Sequence, residues 1–111
     1  MLKNCCGKLL VYASSSECEE ERLRFVNSVA ERMAKLLDLD VQVVTLKKKF
    51  GSIYVYYKNG DDEPIPIYCD KGAKSDMQKI CSALRSMMFV LSFHPKHSAL
   101  RQVRREIMQF S

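Results

Sequence analysis

Residues 41–60, VQVVTLKKKFGSIYVYYKNG, constrain the fold more than any other stretch of this chain. The apolar period there is two, not 3.6. Val41 and Val43 flank polar Gln42, and Ile53, Val55 and Tyr57 alternate with Tyr54 and Tyr56. That spacing puts the first set on one side of a pleated strand and the second on the other. β-branched and tyrosine side chains suit such a surface. Between the two strands lies Lys47-Lys48-Lys49-Phe50-Gly51, a basic turn with a glycine for positive φ. Asn59-Gly60 signals a second hairpin, and Ile65 to Tyr68 forms a short third strand. Pro66 has no N–H to give to a ladder, so that strand belongs at an edge.

Helical periods flank the strands. Leu23, Val26, Val29, Ala30, Met33, Leu36 and Leu37 make one apolar stripe, predicting a helix over about residues 17–38. Ser16 and Glu19 have capping-box spacing before it, and its glutamates suit the positive end of the helix dipole. Ala73, Met77, Ile80, Cys81, Leu84, Met87, Met88 and Leu91 carry a second stripe to about residue 92, ended by Ser92-Phe-His-Pro95. A last helix follows from Ser98, with Leu100, Val103, Ile107 and Met108 as its apolar side. Residues 1–13 fit either a short amphipathic helix or an edge strand from Lys8 to Tyr12. The expected order is α-α-β-β-β-α-α. This is an α+β fold: a small three-stranded antiparallel β-meander with helices packed on one face.

At 111 residues the chain is expected to be one domain, long enough for a core without disulfides. No apolar run approaches the roughly 20 residues of a membrane span. The five apolar residues Leu9 to Ala13 are too few for a signal-peptide core, so they are read as part of the fold. Five unevenly spaced cysteines argue for reduced thiols and a cytoplasmic location. Charge is uneven. Six basic and seven acidic residues precede Val41, whereas twelve and six follow it. The excess positive charge suits nucleic acid or an acidic protein surface.

Lys47, Lys48 and Lys49, with Tyr54 and Tyr56 beside them, form the first candidate binding element. Arg101, Arg104 and Arg105, on one side of a helix, form the second. Together they could neutralise several phosphates, with the tyrosines as stacking faces if exposed. The bland alternative is a solvated basic surface that protects a strand edge. Met87 to Phe93 is apolar on more than one stripe, fitting either a mostly buried helix or a homodimer or partner interface.

No catalytic or metal constellation stands out. His94 and His97 flank Pro95 and do not match zinc spacing with Cys69 and Cys81. Asp61, Asp62 and Glu63 lack the regular spacing of a calcium loop. There is no glycine-rich phosphate loop and no nucleophile elbow. The expectation is therefore a non-enzymatic protein without cofactor or metal. It would dock on a macromolecular partner, in the first instance a protein. Nucleic-acid binding is the alternative, and a small thiol or metal enzyme around Cys69, His94 and His97 a further one.

The run from Leu46 to Tyr57, LKKKFGSIYVYY, followed by Ala73, Ser75, Ile80 and Cys81, resembles a family of small uncharacterised proteins of tailed bacteriophages and prophages. That family has a V-K-E-K-F-G-x-L-R-F-Y strand and a helix ending S-x-x-I-C-E-x-C-G. The resemblance covers about residues 38–82 and implies a phage or mobile-element origin. Two departures are plain. Cys81 is followed by Ser82, Ala83, Leu84 and Arg85, so the second cysteine is missing, and Lys48 stands where the family has an acid.

Overall fold

Gly7 opens an extended segment that is apolar on both sides, with Leu9, Leu10, Val11 and Ala13 buried, as suits a strand inside a sheet. In the computed structural model this segment is strand β1, Lys8–Ser14. The structure describes residues 7–14, 20–46, 52–60, 63–70, 77–94 and 98–110. The capping box at 16–19, Lys47 to Lys49, Gly51, Asp61, Asp62, Ala73, Ser75 and His97 lie outside them.

After β1 come helix α1 (Glu20–Leu37) and strands β2 (Asp40–Leu46), β3 (Ile53–Lys58) and β4 (Ile65–Asp70). Helices α2 (Met77–Leu91), α3 (Ser98–Gln102) and α4 (Arg104–Gln109) complete the described chain. The sheet has four strands in the order β2-β1-β3-β4. β1 runs parallel to β2 and antiparallel to β3, and β3 is antiparallel to β4. The expected three-stranded antiparallel meander is therefore wrong. β2 and β3 are not neighbours, because β1 lies between them. Parallel neighbours need a crossover, and α1 supplies it.

The fold remains α+β, with all four helices on one side of a mixed sheet. Leu9, Val11, Ala13, Ile53, Val55 and Tyr57 point into the core from the sheet. Val26, Val29, Ala30, Met33, Ala34 and Leu37 meet them from α1, and Ile80, Cys81, Leu84, Met88 and Leu91 from α2. α1 lies over β1 and β2, α2 over β4, and α4 packs on both helices. Each fully buried large side chain, such as Leu84 or Met33, contributes roughly 2 kcal/mol through removal from water.

Local chemistry sets the boundaries. α1 ends at Asp38, whose φ of 58° lets the Leu39 N–H reach back to the Ala34 carbonyl at 2.7 Å. Pro66 does sit on an edge strand, and a register shift between Val55 and Tyr56 bends the β3–β4 pair beside it. The last helix is not continuous. Val103, at φ −108° and ψ 18°, divides it into α3 and α4. Leu36 and Met108, expected in apolar stripes, are exposed. The methionine-rich end of α2 is mostly core: Met88 and Leu91 are buried, while Val90 and Phe93 stay exposed. No helix among the described residues is long and apolar enough to cross a membrane.

Candidate functional site

The strand period that buries Ile53, Val55 and Tyr57 turns Tyr54 and Tyr56 to the opposite side of the sheet. No described element lies over that side. Cross-strand register brings Tyr12 of β1 opposite Tyr54, and Leu10 opposite Tyr56. On the other flank of β1, Val44 lies beside Tyr12 and Leu46 beside Ser14. The result is an apolar, tyrosine-rich face on a rigid four-stranded base.

The rings are ordered against each other. Tyr12 and Tyr56 meet edge to face, with centroids 5.4 Å apart and planes at 79°. Tyr54 and Tyr56 are 6.4 Å apart and tilted by 39°. These are favourable arrangements for aromatic quadrupoles. Tyr12, Leu46, Tyr54, Tyr56 and Pro64 line a recess of about 440 Å³ on this face. All three tyrosines are half-buried, so each keeps ring surface to offer a ligand.

Positive charge lies at one end of the face. Lys8 and Lys58 are register partners on it, and the Lys8 Nζ donates to the Gln42 Oε1 at 3.3 Å. In the chain, Leu46 is followed directly by the lysine run of residues 47–49. Asp40 is the acidic residue at the β2 start, beside Lys8.

The arginine element expected at the C-terminus is elsewhere. α3 and α4 belong to the helical layer, on the far side of the sheet from Tyr54 and Tyr56. Arg104 is half-buried and engaged. Its Nε donates to the Ser92 Oγ at 3.0 Å and its Nη2 to the Ser92 carbonyl at 3.0 Å. The guanidinium also lies 3.8 Å from the Phe93 ring centroid. Arg104 thus fastens α4 to the end of α2, while Arg101 and Arg105 are exposed. Arg104→Ala should cost about 1–2 kcal/mol from two hydrogen bonds and a cation–π contact. Urea denaturation of the two proteins measures this. Arg104→Lys should recover little of it, because an ammonium lacks the planar fork.

The two described thiols lie apart, on opposite sides of the sheet. Cys69 is an exposed free thiol on the tyrosine side, opposite Tyr54, whereas Cys81 is buried on the core side of α2. Among the described residues, no three His, Cys, Asp or Glu side chains gather where a metal ion could be held.

Tyr12 is the site residue that strand reading alone did not supply. Its signal was the unbroken apolar run Leu9 to Ala13, bounded by Gly7 and three serines. These elements define a mixed-sheet α+β domain with helices on one face and an aromatic surface on the other. No family model, curated protein or solved structure matches the chain.

Proposed function

We propose that this chain is a non-enzymatic binding protein whose tyrosine-bearing sheet face takes single-stranded nucleic acid. One observation carries the reading: three half-exposed tyrosines surround a recess on the same face as Lys8 and Lys58. Every base has a π-face, so aromatic rings on a firm sheet accept unpaired bases without reading their sequence. Lys8 and Lys58 at one end of the face then neutralise phosphates that run past it. The recess of about 440 Å³ is wide enough to seat a base or two. A phage or mobile-element origin and a cytoplasmic setting belong to this proposal, the latter favoured by the free thiols of Cys69 and Cys81.

The protein-partner reading has a specific support too. Tyrosine-lined apolar recesses also anchor side chains of partner proteins. The lysines tip the balance towards a polyanion.

The two readings separate in one titration. Labelled single-stranded DNA and RNA of mixed sequence, with a duplex control, are followed by fluorescence anisotropy at low and physiological salt. The nucleic-acid reading expects single strands to bind better than duplex, and affinity to fall with salt. Tyr56→Ala should weaken binding about tenfold, the equivalent of one lost stacking contact. An absence of binding at low salt would sink this reading and leave the protein partner.

A further inference from the structure

The two edges of the sheet are built differently. β4 is broken as a pairing edge by Pro66, and the register shift beside it disturbs its ladder. β2 has neither device. It is a seven-residue strand, DVQVVTL, without proline or lysine, and no described strand pairs with its outer side. Val43 is 42% exposed and Leu46 39%. A long apolar edge of this kind is a template for another strand.

Its backbone sets what it can accept. The Asp40 N–H bonds to the Gly7 carbonyl across the β1–β2 pair. Alternation then directs Asp40, Gln42, Val44 and Leu46 towards β1, and turns the N–H and C=O of Val41, Val43 and Thr45 outwards. This outward set is symmetric about Val43. A second copy of β2 laid antiparallel with Val43 opposite Val43 brings Val41 opposite Thr45 and Thr45 opposite Val41. Every outward donor then meets an outward acceptor. The register keeps both core sides together and both tyrosine faces together.

Charge favours the same orientation. The strand is entered through Asp38 and Asp40 and followed in the chain by Lys47, Lys48 and Lys49. Antiparallel pairing keeps the acidic starts of the two copies apart, whereas parallel pairing would set Asp38 and Asp40 beside their counterparts.

We infer that β2 is a self-association edge, through which two copies of this chain join their sheets into one of eight strands. The partner is a second copy because the outward hydrogen-bonding groups are self-complementary about Val43 and the acidic start of the strand favours the same antiparallel arrangement. One strand pair is small beside the roughly 1,200 Å² of a stable interface, so the dimer is weak and concentration-dependent. It would also set two tyrosine faces side by side, although the inference does not rest on what those faces bind.

Sedimentation velocity from micromolar to near-millimolar protein, without nucleic acid, tests it. The expected result is a shift from monomer to dimer, abolished by Val43→Lys with an unchanged circular dichroism spectrum. Val90→Lys, which changes the exposed apolar residue on α2, should leave the dimer intact. Hydrogen exchange on the unaltered protein supplies a second reading: the amides of Val41, Val43 and Thr45 should slow as concentration rises. A monomer at every concentration would overturn the inference. So would a dimer that survives Val43→Lys or is lost in Val90→Lys, and so would exchange at these amides that is indifferent to concentration.

Discussion

Gly7→Ala should destabilise the domain by about 3 kcal/mol, the sum of backbone strain and forced displacement. Gly7 has a φ of 111°, a region that side-chain-bearing residues rarely enter. A Cβ there would fall 2.2 Å from the Lys58 carbonyl oxygen and 3.1 Å from the Asn59 Cα. Both obstacles are backbone at the end of β3, so no rotamer change relieves them. The Gly7 carbonyl also receives the Asp40 N–H at the head of β2. One small residue therefore holds together the start of β1, the start of β2 and the end of β3, and the shift that admits a methyl group disturbs both ladders. Gly60 supplies the control. Its φ is 60° and a Cβ would meet nothing within 4 Å. Gly60→Ala should cost only about 1 kcal/mol, from the left-handed conformation alone. Urea unfolding of the two variants gives the comparison. Equal costs would show that the close approach at Gly7 is unimportant.

The part of the fold visible in the chain was the part governed by local period. The alternation of β3 divided Ile53, Val55 and Tyr57 from Tyr54 and Tyr56 correctly, because side-chain direction in a strand follows from residue parity. The α1 and α2 stripes and the edge position of the Pro66 strand followed equally from nearest-neighbour geometry. Strand order did not. The Leu9 to Ala13 run is too short to show a helical or a strand period, and a strand that is apolar on both faces has no alternation to display. Its insertion between β2 and β3 is a pairing between distant residues, with register partners such as Val11 and Val43. Placing β2 beside β3 was the simpler local solution, and the Lys47–Gly51 segment encouraged it.

The candidate site divides in the same way. Tyr54 and Tyr56 were legible from parity, but Tyr12 required the position of β1. Helical spacing placed Arg101, Arg104 and Arg105 on one side of a single helix. The break at Val103 and the affinity of Arg104 for Ser92 and Phe93 removed that arrangement. A basic side chain that caps a helix end and one that waits for a phosphate have the same letter in a sequence. The packing around it decides which it is.

Arg22→Ala should cost about 3 kcal/mol, less than the full penalty of breaking a deeply buried ion pair, because Arg22 is a quarter exposed. Asp70, the last residue of β4, is only 4% exposed. The Arg22 Nη2 donates to its Oδ1 at 2.7 Å and to its carbonyl at 2.9 Å, and the Nε donates to Oδ1 at 3.2 Å. These bonds tie the first turn of α1 to the far end of the edge strand. They span the sheet from the helix over β1 and β2 to the strand beneath α2. Removing the guanidinium strands a buried carboxylate away from its charge partner. Removing both charges does not, so Arg22→Met with Asp70→Leu should cost less than Arg22→Ala alone. The double-mutant cycle built from Arg22→Met, Asp70→Leu and their combination should therefore show a coupling of at least about 1 kcal/mol. Costs that simply add would mean that the two residues are held by their separate surroundings. The end of β4 would then be fixed by the packing of Ile67 and Tyr68 alone.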